Sequence, residues 1–254
     1  MLKHRVIPAL LLRNGGLVKT QRFKDPKYVG DPINAIRIFN EKEVDELMLL
    51  DITASKENRE PNFEMIEQIA GECFMPLAYG GGVRTVQQAQ HIFASGVEKI
   101  CIQTAALDNL KLVRELADRF GSQSIMVSLD IKKNWLGRAQ SFAAAKGKAI
   151  STDWLQLLSD LVGAGAGEVL LNAVDKDGTL TGPDLDLIRQ ASEQVDVPLI
   201  AVGGISSLPD IKSAVEAGAS AVAAGAFFVY HGPHRAVLIT YPKYHELERL
   251  FAKP

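Results

Sequence analysis

A closed (β/α)₈ barrel is the fold class this sequence predicts, on three observations. Eight apolar, β-rich runs of 5 to 7 residues alternate with amphipathic helical stretches along the chain. The segment MPLAYGGG (75–82) recurs as VPLIAVGG (197–204), an offset of 122 residues. Several of the apolar runs stop on glycines, at the end of the strand where a parallel barrel keeps its active site.

The elements follow in order. VIPALLL (6–12) is the first strand. Its basic lead-in MLKH and short apolar run lack a small-residue cleavage site, so the segment reads as structure, not as a leader peptide. Gly15-Gly16 then makes a flexible turn before Lys19, a lysine placed either to close over a bound anion or to lie exposed. LMLLDI (47–52), MPLAYG (75–80) and KICIQ (99–103) are strands two to four. SIMVSLD (124–130), EVLLNAV (168–174), VPLIAVG (197–203) and AVAAG (221–225) are strands five to eight. Between them, TVQQAQHIFASG (85–96), DNLKLVRELADRFG (108–121) and DWLQLLSDLVGAG (153–165) are helical and end on glycine, the preferred residue past a helix C-terminus. Strands apolar on both faces with helical crossovers mean a parallel sheet, and eight such units in this length close into a barrel. Glu46 and Gly96 also repeat, as Glu168 and Gly218. The first strand aligns with the fifth at an offset near 119, which sets Leu11 opposite Asp130. The expectation is one domain over 1–254 built from two similar halves; the alternative is a doubly wound open sheet.

Composition narrows the function. The chain has 254 residues, 47% hydrophobic and 23% charged, with a net charge of −2. That balance gives no electrostatic case for nucleic acid or a membrane surface. No apolar run approaches the roughly 20 residues a membrane-spanning helix needs. Cys73 and Cys101 lie far apart in apolar settings, which predicts buried free thiols and a cytoplasmic location.

The strand ends carry the chemistry. Gly80-Gly81-Gly82 ends the third strand, Gln103-Thr104 the fourth, Gly203-Gly204 the seventh and Gly225 the eighth. Glycines let backbone N–H groups approach an anion, and their duplication predicts two phosphate sites holding one phosphorylated small molecule at both ends. Asp51, Asp130, Asp175 and Asp177 are the carboxylates at this end. Acid–base work on a sugar-like substrate calls for two facing carboxylates, and the repeat puts leucine where the partner of Asp130 belongs. At the opposite end Arg5, Glu46, Lys99 and Glu168 each stand just before an apolar run. They predict a neutralised ring on the barrel floor, either a structural closure or a polar gate. HGPH (231–234) lacks metal-ligand spacing, so neither a metal nor a cofactor is expected, and its aromatic surroundings suit a partner surface instead. No nucleophile elbow, Ser-His-Asp order or dinucleotide fingerprint is present.

With these residues in view, the chain resembles a known family. GDP (30–32), DELMLLDITAS (45–55), YGGG (79–82), QTAA (103–106), FGSQS (120–124), LD (129–130), GAGEVLLN (165–172) and DKDGT (175–179), with the Lys19 loop, are similar to the cyclase subunit of imidazole glycerol phosphate synthase, HisF. The likeness covers nearly the whole chain. It implies a barrel that pairs with a HisH-like glutaminase, takes ammonia through its floor and reacts it at the top with a bisphosphorylated ribulosyl intermediate. It also implies an ammonia gate at Arg5, Glu46, Lys99 and Glu168, and Asp130 as a catalytic aspartate. The implied phosphate contacts are Lys19, Gly81, Gly82, Thr104, Asp177, Gly178, Gly203, Gly204 and Gly225. The chain departs from the pattern at Leu11, where the other catalytic aspartate belongs, at Gln103, in place of a phosphate-site asparagine, and at Gly225, in place of a serine. PALLLRNGGLVK, EPNFEMIEQIAGECFMP and HGPHRAVLITYP resemble instead a second HisF-like group from saccharide-biosynthesis loci, WbuZ-like, which works with a glutaminase and an N-acetyl sugar amidotransferase. On this likeness the chain is expected to conduct ammonia for sugar amidation in surface polysaccharide biosynthesis, with its cyclase chemistry impaired. The alternative is a working cyclase of histidine biosynthesis. A phosphosugar isomerase of the same superfamily ranks third, since an isomerase needs no gated floor.

Overall fold

Each barrel strand forms where an apolar run meets a turn, and each faces two environments. The computed structural model describes residues 4–252. In chain order the elements are β1 (Arg5–Arg13), β2 (Gly16–Gln21), β3 (Lys24–Gly30), α1 (Pro32–Glu41), β4 (Leu47–Asp51), α2 (Phe63–Glu72), β5 (Leu77–Gly80) and α3 (Val86–Ala94). There follow β6 (Lys99–Ile102), α4 (Thr104–Asp108), α5 (Leu110–Phe120), β7 (Ile125–Lys133), β8 (Ala139–Ala143), β9 (Lys148–Ala149), α6 (Trp154–Gly163), β10 (Glu168–Ala173) and α7 (Leu185–Gln194). The chain ends with β11 (Leu199–Val202), α8 (Leu208–Glu216), β12 (Ala221–Ala224), α9 (Ala226–Val229), β13 (Tyr230–His231), β14 (Ala236–Val237) and α10 (Tyr244–Phe251). The strands β10, β11, β12, β1, β4, β5, β6 and β7 are neighbours in that order, and β7 pairs back onto β10. The eight parallel strands therefore close, as the sequence predicts.

Alternation along the strands splits the core in two. Ile7, Ala9, Met48, Ala78, Cys101, Met126, Leu170, Ile200, Ala221 and Ala223 fill the barrel interior as one buried cluster. The opposite faces, with Val6, Leu10, Leu47, Tyr79, Val169 and Leu199, pack on the helices in a second, larger cluster. Side chains fix the helix starts. Thr85 and Gln88 form a reciprocal capping box on α3, and Asp153 caps α6 by accepting from Leu155 and Gln156.

The repeat is exact in register. Leu11 stands beside Leu50 as Asp130 stands beside Asn172, and Ile7 beside Ala223 as Met126 beside Cys101. Strands three and seven start at Leu77 and Leu199, later than their apolar runs suggest. Proline has no N–H to give a ladder, so Pro76 and Pro198 contribute only carbonyls, to Leu47 and Val169 at 2.9 and 3.0 Å.

Two extensions at the top were not expected from the sequence. Asn14 and Gly15, at φ +51° and +81°, turn β1 back into the β2–β3 hairpin, the backbone an Asn-Gly pair favours. The expected flexible turn is thus a tight one. The strand β7 also runs past Asp130 to Lys133 and pairs with β8.

Candidate functional site

The floor comes first along the barrel axis. Arg5 donates to Glu46 Oε2 and to Glu168 Oε1. Lys99 Nζ reaches both carboxylates, at 3.3 Å from Glu46 and 2.8 Å from Glu168. The two glutamate side chains are 3% and 5% exposed, so each is a buried charge held by both cations. Burial works against the Arg5 charge, but Glu168 and Glu46 outweigh it and raise its pKa. The four residues that the sequence set at one level do form a closed ring.

Above the ring the lining is apolar, and at the mouth the two halves diverge. Asp130 is buried, and Gln103 Nε2 donates to its Oδ2. Burial pushes its pKa up to about 7 against the lowering effect of that hydrogen bond. Next to it, Asn172 Oδ1 is buried with no partner among the described residues. At the equivalent corner of the first half stand Leu11 and Leu50, both half-buried. Gln103 and Asn172 are the residues around Asp130 whose part was not foreseen. For Asn172 the signal was present: it is the one polar residue inside the apolar run EVLLNAV, and its counterpart at the 122-residue offset is Leu50.

The two glycine cradles are built differently from one another. At the first, a Cβ on Gly81 would lie 2.5 Å from Asp51 O and one on Gly82 2.9 Å from Arg59 O, so only glycine fits. The Gly82 N–H donates to Ser55 Oγ at 3.2 Å, and Thr104 opens the short helix α4 beside it. At the second, Gly203 and Gly204 line one depression with Asp177, Gly178 and Gly225. Lys19 is buried there and donates to Ala9 O. A Cβ on Gly225 would lie 2.5 Å from Lys19 Nζ, so the glycine leaves the space the ammonium occupies. Burial lowers the Lys19 pKa to about 8, with Asp177 opposing the shift. Lys19 is thus neither exposed nor on a loose loop.

Asp177 was expected to face a phosphate. It lines the depression at the second cradle, and its side chain accepts from Thr20 Oγ1 at 3.0 Å and Phe23 N at 3.3 Å, while Arg22 N donates to its carbonyl at 2.9 Å. These bonds dock the β2–β3 hairpin on the loop after β10. A Cβ on Gly178 would strike Thr20 O, so this glycine seats the hairpin. His231 and His234 are exposed on the β13–β14 hairpin, and among the described residues no group of three His, Cys, Asp or Glu is arranged to hold a metal ion. No helix of the described residues is long and apolar enough to cross a membrane. Cys101 is a buried free thiol and Cys73 a half-buried one.

Comparison with known proteins places this barrel among relatives. The family model described as "Histidine biosynthesis protein" matches residues 5–234. The chain is 53% identical over 252 residues to hisF2 of Pseudomonas aeruginosa, covering 98% of this chain and 99% of that one. It is 46% identical over 253 residues to HisF of Leptospira borgpetersenii, covering 99% and 100%. It is 48% identical over 247 residues to hisF3 of Vibrio vulnificus, covering 95% and 94%. All three carry provisional names as imidazole glycerol phosphate synthase subunits, and none of those names speaks of sugar amidation. Sequence, fold and relatives agree that this chain belongs to the HisF family of histidine biosynthesis proteins.

Proposed function

We propose that the chain is an imidazole glycerol phosphate synthase subunit of HisF type, a single barrel domain working in the cytoplasm with a HisH-like glutaminase docked on its floor. The observation that carries this reading is the continuity of one axis. A charged ring of Arg5, Glu46, Lys99 and Glu168 stands at one end of the apolar barrel interior and Asp130 at the other. Neutral ammonia crosses such a lining at little cost, whereas an ammonium ion finds no partner between Ile7 and Ala223 to repay its lost hydration. In this reading the ring admits nitrogen, and the apolar interior passes it only as neutral ammonia.

At the mouth the two cradles, Gly81, Gly82 and Thr104 on one side and Gly203, Gly204 and Gly225 on the other, hold the phosphates of a bisphosphorylated ribulosyl intermediate. Lys19 adds a positive charge to the second cradle. Asp130, with a pKa near 7, exchanges a proton with the reacting carbon framework at neutral pH, where a carboxyl of ordinary acidity would stay ionised. Asp177 and Gly178 serve this site by holding the hairpin down.

The leucine corner favours a second reading. With Leu11 and Leu50 where the first half would carry acid–base groups, the barrel would pass ammonia onward for sugar amidation by an N-acetyl sugar amidotransferase. One assay separates the two: product formation from the ribulosyl intermediate with saturating ammonium. Turnover supports the synthase. Its absence, with glutaminase still stimulated by this chain, overturns the synthase reading and leaves the conduit.

A further inference from the structure

The floor ring is not held equally in its two halves. Lys99 and Glu168 are ladder residues, since β6 starts at Lys99 and β10 pairs Glu168 with Met126. Arg5, the first residue of β1, pairs with Ala221, so Glu46, which precedes β4, is the one member of the ring outside the ladder. The internal repeat shows what the first half lacks. In the second half, Gly167 N, one residue before Glu168, donates to Ile125 O at 3.0 Å and closes the strand start backbone to backbone. The equivalent pair in the first half is Asp45 and Val6. There the Val6 carbonyl takes its hydrogen bond from the hydroxyl of Tyr241, at 2.8 Å. The Asp45 carboxylate in turn accepts from Val6 N at 3.2 Å and lies 3.4 Å from the same hydroxyl. A tyrosine 235 residues away in sequence stands in for a backbone link.

We propose that Tyr241 is a positioning residue for the floor ring: its tie to Val6 and Asp45 fixes the neighbours Arg5 and Glu46. This rests on the reading of the ring as the entry for nitrogen. The tie is set from outside the barrel. The Tyr241 ring packs on Phe228 with centroids 5.3 Å apart, and Thr240 N donates to Phe228 O at 2.9 Å. The segment between α9 and α10 is thereby strapped down along β1. Removing the hydroxyl leaves this packing in place but frees a buried carbonyl and a half-buried carboxylate.

The test uses the complex with the glutaminase and compares nitrogen sources. Tyr241→Phe is expected to lower glutamine-driven product formation about tenfold, the cost of one buried acceptor left unpaired, while turnover from saturating ammonium, supplied from the mouth, stays at the wild-type value. Asp45→Ala, which removes the other half of the tie, is expected to give the same split. A merely structural role lowers both rates together, and a dispensable one changes neither; either result in Tyr241→Phe overturns the proposal. If the wild-type complex makes no product from either nitrogen source, the synthase reading on which this assay depends fails instead, and that is seen before any variant is assayed.

Discussion

The two corners of the barrel mouth occupy the same place in the two halves and have opposite chemistry. Asp130 and Asn172 sit beside each other in one half, Leu11 and Leu50 in the other. The floor anions show no such divergence: Glu46 and Glu168 are repeat partners and both remain, each bound by the same two cations, Arg5 and Lys99, both supplied by the first half. A charged residue in a barrel interior survives when its partners are kept, because a buried charge left alone is costly. An acid–base pair is held by function alone, so one member can be lost with no penalty to folding. On the proposed function, the contrast assigns acid–base chemistry to the second half and none to the first.

The comparison can be broken at each corner. Asp130→Asn carries the largest expected effect, a fall of about 10²–10⁴ in ammonium-driven turnover. Unchanged turnover would show that the second half holds no acid–base group. The same variant should be more stable than the wild type above pH 7. The Asp130 pKa is raised from 3.8 to about 7, so the folded protein binds a proton there that the unfolded chain has released, and stability falls as pH climbs from about 4 to 7. Urea titrations at pH 5 and pH 8 should show Asp130→Asn gaining roughly 2–3 kcal/mol more over the wild type at the higher pH than at the lower.

Arg5→Met tests the floor. It leaves Glu46 and Glu168 with Lys99 alone, and a loss of about 3 kcal/mol in denaturant unfolding is expected. A loss under about 0.5 kcal/mol, the range of an ordinary surface substitution, would mean the ring is solvated and not a closed structure. Leu11→Asp sharpens the comparison from the other side. Restoring the missing carboxylate should raise ammonium-driven turnover at least about tenfold if that corner is what limits the chemistry. No gain would shift attention to Gln103, which already holds Asp130. The smallest effect belongs to Gly225→Ala. The added methyl would displace the flexible end of Lys19 from the Ala9 carbonyl, at a cost of less than about 1 kcal/mol. Lys19 should then titrate closer to the ordinary lysine value than to 8, read by NMR of the side-chain nitrogen.

Much of the molecule was written locally. Strand order, barrel closure and the floor ring follow from apolar runs and from charges placed one residue before them. The second cradle was legible as glycines at a strand end. The hairpin over the mouth was missed although Asn14-Gly15 lies between apolar runs, because the overlapping Gly15-Gly16 pair reads first as a flexible turn. The partners of Asp177 were not legible for a different reason. Its carboxylate is claimed by Thr20 and Phe23, more than 150 residues earlier, and no local pattern announces such a bond.

By itself the sequence determined the period of the strands, the two-fold repeat and the identity of the residues at each strand end, since these depend on hydrophobic alternation and on glycine's backbone freedom. Only the tertiary structure decided which of those residues touch. It joined Arg5 to two glutamates from distant strands, put Gln103 on Asp130, drew Lys19 into the space left at Gly225 and hung the first half of the floor on Tyr241. Each of these depends on groups that only the closed barrel brings together, where a half-buried or buried charge or carbonyl takes whichever partner lies within reach.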